Sequence, residues 1–135
     1  APDGKKVCSG SRDKTVRLWD ASTGVELKCF TEHTNKVSSV DMSLDGSIIV
    51  SGSVDKTVRL WNVASGDCRI FEGHTHQVSA VCLSTDEKSV FSGSYDTTVK
   101  MWDINTGELL RSFEGHSRYV NSVCVTSDGK WMLSC

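Results

Sequence analysis

The sequence predicts an all-β chain made of one recurring unit, a four-stranded antiparallel meander of about 42 residues. Three observations carry that expectation. First, three segments nearly repeat: SGSRDKTVRLWD (9–20), SGSVDKTVRLWN (51–62) and SGSYDTTVKMWD (92–103). Second, independent markers keep one register. Trp19, Trp61 and Trp102 are 42 and 41 residues apart; His33, His74 and His116 are 41 and 42 apart; Asp3, Asp45, Asp86 and Asp128 step by 42, 41 and 42. Third, no stretch holds a 3.6-residue apolar period over ten residues, so helices are not expected.

Residues 33–72 show the elements of one unit in order. Val37, Val40 and Met42 form a short apolar run, with an extra residue between the first two that predicts a bulge. Leu44-Asp45-Gly46 reads as a turn. Ile48 to Ser51 is β-branched and reads as a second strand. Ser53 to Lys56 forms the next turn, and Thr57 to Trp61 alternates apolar and polar residues as a third strand. Ala64-Ser65-Gly66 turns again, and Cys68 to Phe71 closes the unit as a fourth strand. With one proline against eleven glycines, the turns rest on Gly, Asp, Asn and Ser.

Both faces of such a meander carry apolar side chains, which the unit cannot cover by itself. Stacking against copies of itself covers them, and radial repetition of a twisted four-stranded blade gives a β-propeller. Writing a to d for the strands of a blade, the expected division is 1–31 as a partial first blade (b, c, d), 32–72 and 73–114 as complete blades, and 115–135 as a partial last blade (a, b). Dividing 135 residues by the period gives about 3.25 units, where closure takes about 4–8. The expectation is a partial propeller, read as part of a larger protein, with self-association to complete a ring as the rarer arrangement.

Two dipeptides sharpen this reading. Trp19-Asp20 and Trp102-Asp103, with Trp61-Asn62 as a variant, recur at fixed offsets from Gly73-His74 and Gly115-His116, with Glu32-His33 as a variant. The whole chain thereby resembles the WD-repeat family of β-propellers. That family's Ser-Pro-Asp-Gly turn is closest at Ala1-Pro2-Asp3-Gly4 and drifts to Ser84-Thr85-Asp86-Glu87, where Glu in place of Gly predicts a looser turn.

Composition narrows the function classes. Fifteen Lys and Arg stand against 17 Asp and Glu, a net charge of −2, with no basic-aromatic stretch, which disfavours nucleic acid. No apolar run nears the roughly 20 residues of a membrane helix, so no membrane role is expected. Six cysteines contain no C-x-x-C pair and there is no N-x-S/T acceptor. Each Cys lies in or beside an apolar strand and is read as a small hydrophobe, which predicts a reducing compartment, cytoplasm or nucleus.

Each full unit holds His, Ser, Asp and Trp at constant offsets: His33, Ser51, Asp55, Trp61 and His74, Ser92, Asp96, Trp102. Ser9, Asp13 and Trp19 form an incomplete set, as do His116 and Ser134. Ser, His and Asp together suggest a hydrolase, but a catalyst needs one triad, no G-x-S-x-G elbow is present, and an indole N–H can only donate. A structural staple uses all four: indole to hydroxyl, hydroxyl to imidazole, imidazole to carboxylate. The family resemblance likewise implies a structural tetrad. His74-Thr75-His76 and the Cys29–His33 spacing lack further ligands, so no metal and no cofactor are expected.

Function is then expected from binding. The resemblance implies a partner face at the residue before each tetrad Asp (Arg12, Val54, Tyr95) and at the third (Lys36, Gln77, Tyr119) and fifth (Ser38, Ser79, Asn121) residues after each tetrad His. Tyr and Arg are residue types that dominate interface energetics. The leading expectation is a non-enzymatic protein–protein interaction scaffold that binds proteins or peptides. The alternative is a sensor or substrate-receptor propeller of a larger enzyme or ubiquitin-ligase-type regulator. Some family members grip phosphorylated peptides with Arg at the position of Arg12, but Val54 and Tyr95 leave no arginine cluster here.

Overall fold

The computed structural model describes residues 4–135, and every regular element in it is a strand. Ala1, Pro2 and Asp3, including the turn read at Ala1–Gly4, lie outside the described residues except for Gly4. The first sheet has three strands, β1 (Lys6–Gly10), β2 (Val16–Asp20) and β3 (Glu26–Phe30), in that order. The second runs β4 (Val37–Met42), β5 (Ile48–Ser53), β6 (Val58–Asn62), β7 (Cys68–Phe71). The third runs β8 (Val78–Leu83), β9 (Ser89–Ser94), β10 (Val99–Asp103), β11 (Leu109–Phe113). Strands β12 (Val123–Val125) and β13 (Met132–Ser134) form a two-stranded fourth sheet. All pairings are antiparallel meanders, and the bulge expected early in the first strand falls between Val37 and Ser39 and again between Val78 and Ala80. These sheets are the blades of a β-propeller arc.

The core lies between sheets rather than within them. Val16, Leu18 and Phe30 of the first blade pack on Val37, Ile49 and Trp61 of the second. Val50, Val58, Leu60 and Phe71 of the second pack on Val78, Val81, Val90 and Trp102 of the third. A smaller cluster joins Ala80 and Val99 to Val120 and Val123. At each junction the glycine of the S-G-S run admits the next blade. A Cβ on Gly52 would stand 2.6 Å from Val78 Cγ1 and 2.9 Å from Val81 Cγ1. Gly10 faces Val37 and Gly93 faces Val120 in the same way. Two valines therefore fill the hollow that a missing side chain leaves.

The turns explain the WD dipeptide. The carboxylate of Asp20 accepts from the backbone N–H of Ser22 and Thr23 at 2.9 and 2.8 Å, and Asp103 does the same for Asn105 and Thr106. Asn62 Oδ1 serves Ala64 and Ser65 at 2.9 and 3.0 Å, so the amide replaces the carboxylate without loss of the turn.

Two expectations are corrected. The turn at Glu87 is no looser than its glycine counterpart. Glu87 adopts φ 55°, and its N–H reaches the Ser84 carbonyl at 3.0 Å, as Gly46 reaches Ser43 at 3.0 Å. The carboxylate offsets the left-handed backbone by accepting from Leu44 N–H of the neighbouring blade at 2.8 Å. The cysteines also divide. Cys8, Cys68 and Cys82 are half-buried, whereas Cys29, Cys124 and Cys135 are exposed and are not packed hydrophobes. Alternation along β3 and β12 turns Cys29 and Cys124 away from the junction cores, and Cys135 follows the end of β13.

Candidate protein-binding face

In the two four-stranded blades the four recurrent residues meet. Trp61 Nε1 donates to Ser51 Oγ at 2.9 Å, Ser51 Oγ and His33 Nε2 are 2.7 Å apart, and His33 Nδ1 lies 2.7 Å from Asp55 Oδ2. In the next blade the same distances are 2.8, 2.7 and 2.7 Å for Trp102, Ser92, His74 and Asp96. Donors and acceptors balance only if each imidazole is neutral with its proton on Nδ1. The Ser hydroxyl then donates to Nε2 while accepting from the indole. Burial pushes both imidazoles below their usual 6.5, against the pull of the neighbouring carboxylates. Burial alone would raise Asp96, but hydrogen bonds from Thr98, His74 and the Thr75 backbone outweigh it and lower its carboxyl to about 2.

The threonine after the tetrad Asp completes the site and escaped the sequence reading. Thr57 Oγ1 donates to Asp55 Oδ1 at 2.6 Å and Thr98 Oγ1 to Asp96 Oδ1 at 2.7 Å. The recurring D-x-T at 13–15, 55–57 and 96–98 is the signal that finds it. Ser51 and Ser92 are fully buried, so this Ser-His-Asp arrangement offers no nucleophile to a solvent-borne substrate.

The terminal sets are partial in space as well. Trp19 Nε1 donates to Ser9 Oγ at 2.8 Å, but Trp19 is half-buried, and exposed Asp13 binds Thr15 and Arg17 instead of an imidazole. His116 Nε2 lies 2.8 Å from Ser134 Oγ, with His116 exposed and Ser134 half-buried. The Glu32-His33 variant also has a partner: Glu32 Oε2 accepts from Arg59 Nη1 at 3.1 Å, and the guanidinium lies 5.9 Å from the Trp61 ring. Among the described residues no group of three His, Cys, Asp or Glu side chains converges as a metal site would require.

The staples hold together the loop before each first strand and the turn between second and third strands, at one end of the sheets. Backbone bonds link the same segments: Val54 N–H to the Lys36 carbonyl at 2.9 Å, Tyr95 N–H to Gln77 at 3.0 Å, Val37 N–H to Ser11 at 3.0 Å and Val120 N–H to Ser94 at 3.1 Å. Arg12, Lys36, Tyr119 and Asn121 are exposed on this end, and Val54, Gln77 and Tyr95 are half-buried. The Tyr95 and Tyr119 rings stack with centroids 4.2 Å apart and planes within 6°, and His76 stacks on Tyr95 at 5.9 Å. Tyr119 remains 57% exposed despite that contact.

Ser38 and Ser79 differ from their neighbours. Each hydroxyl lies 2.9 Å from a carbonyl of its own blade, Gly52 or Gly93, and also reaches the carbonyl of Val78 or Val120 on the next blade. Their polarity is occupied by a clasp between blades.

Stapled meanders stacked on glycine hollows define a repeat β-propeller, a class that works by presenting a surface. The family description "WD domain, G-beta repeat" (WD40) matches residues 1–20, 24–62, 65–103 and 107–135, and the chain belongs to that family, whose repeats generally mediate protein–protein interaction. Each internal match starts on the last strand of one sheet and covers three strands of the next, so the repeat ties neighbouring blades covalently. The chain is also similar to the nuclear distribution protein PAC1 of Mycosarcoma maydis, 48% identical over 40 residues. That stretch is 30% of this chain and 9% of the relative's length.

Proposed function

We propose that this chain is a non-enzymatic interaction scaffold that binds proteins or peptides on the stapled end of its blades. The observation that carries the reading is the Tyr95–Tyr119 stack. Two tyrosines from different blades hold one another flat, and the outer one still shows more than half its surface to water. Pre-ordered aromatic area of this kind binds with little entropy left to lose. The buried tetrads beneath fix the loops that carry it. Six thiols with no disulfide among the described residues suit a reducing compartment, cytoplasm or nucleus, and the likeness to a nuclear distribution protein is compatible with it.

Peptide display on the 135-residue chain, counter-selected with a Tyr95→Ala/Tyr119→Ala double variant, tests the reading. Peptides should enrich on the parent and be lost on a variant whose melting is unchanged. Equal retention by the variant, or no enrichment at all, would overturn it.

A further inference from the structure

The equivalence of the repeats extends the tyrosine contact to the rest of the face. Tyr95 precedes a tetrad Asp, and Tyr119 stands three residues after the His of the next blade. Val120 N–H to the Ser94 carbonyl fastens that turn to that loop. Two junctions earlier the same positions hold Arg12 and Lys36, and Val37 N–H to the Ser11 carbonyl makes the same link. The junction between them carries Val54 and Gln77. Three successive junctions are thus cationic, neutral and aromatic.

The positive end is uncompensated. Arg12 and Lys36 are exposed, and among the described residues no hydrogen bond or ion pair engages the Arg12 guanidinium or Lys36 Nζ. Lys14 and Lys56, exposed on the flanking turns, add two more cations with no ion pair among the described residues. The acids of this end are committed: Asp55 and Asp96 to their imidazoles and threonines, Asp13 to Thr15 and Arg17, Glu32 to Arg59. Glu72 and Glu114 follow the last strands β7 and β11 at the outer edge, away from the first-strand junctions. In a chain of net charge −2, this concentration of positive charge is local.

We infer that the face takes an acidic peptide segment laid across the three junctions. Side-chain carboxylates meet Arg12 and Lys36, and a flat side chain of the same segment stacks on the open side of Tyr119. Guanidinium and ammonium groups pair with carboxylates, and rings stack offset on rings. The inference rests on the scaffold reading and names the chemistry of its partner.

The test uses synthetic 12-residue peptides with three consecutive Glu, a Gly-Ser spacer of varied length and one Tyr, titrated calorimetrically into the 135-residue chain. Companion peptides carry Gln for Glu, Ala for Tyr, or phosphoserine for Glu. Arg12→Glu/Lys36→Glu should weaken the Glu peptide about tenfold, with an effect that shrinks as salt rises. Tyr119→Ala should weaken only peptides that carry Tyr. Lysine substitutions Arg12→Lys and Asp-for-Glu peptides should retain binding. Equal binding of the Gln peptide, indifference to the charge reversal, or binding of the phosphoserine peptide alone would overturn the inference. If display still enriches tyrosine-dependent peptides while the Glu peptide fails, the partner chemistry is wrong and the scaffold stands; if both fail, both fall.

Discussion

The two four-stranded blades and the units that flank them use the same residue types to different depths. Around Trp61 and Trp102 the serine is fully buried, burial holds the imidazole below its usual pKa, and the carboxylate is bonded several times over. Around Trp19 the serine contact survives, but no imidazole joins it and the Asp faces solvent. At His116 only the serine contact remains. A motif residue therefore contributes according to how many neighbours complete its network, since a satisfied buried chain of bonds is cooperative and an exposed pair is not.

The two kinds of unit should differ most at their tryptophans. Trp102→Ala should cost about 3–5 kcal/mol in urea unfolding followed by circular dichroism, and Trp19→Ala clearly less, because Trp19 already meets water. Equal costs would erase the distinction. Next comes the junction: Gly52→Ala should cost about 1–3 kcal/mol, since its methyl meets two valines that cannot both withdraw. His74→Ala should also cost about 1–3 kcal/mol because buried Ser92 and Asp96 each lose a hydrogen-bond partner, while His116→Ala should stay within about 0.5 kcal/mol.

Acid should act on the complete tetrads. His33 and His74 titrate below 6.5 when folded, so their contribution is whole above 6.5 and fades as pH falls beneath it. Asp96, lowered from 3.8 to about 2, adds a second loss as pH falls from about 4 toward 2. Urea midpoints measured from pH 8 to 5 should decline, and His74→Gln should flatten part of that decline. The smallest effect is expected at Tyr119→Ala, within about 0.5 kcal/mol, because the ring lies outside the junction cores.

Periodicity made the architecture legible. Trp, His and Asp at steps of 41 and 42 residues marked equivalent positions, and alternation marked the strands. Contacts between one unit and the next were not legible in the same way. A repeat shows which residues correspond, but not which of them touch across a junction. That is why Gly52 against Val78, the Ser38 and Ser79 clasps, and the Glu87 bond to Leu44 emerged only in three dimensions. Thr57 and Thr98 were visible in every copy, yet a hydroxyl beside an Asp reads as ordinary turn chemistry until the carboxylate is seen to need it.

The glycine hollow and the valine pair that enters it also give the stack a direction. One side of each unit is a socket and the other a plug, so two units cannot meet socket to socket. Such a head-to-tail contact propagates until rotation brings the last plug to the first socket. Insertion or loss of a whole period preserves every mate along the series, whereas loss of the strand that carries a glycine or its valine pair leaves the other member without a mate.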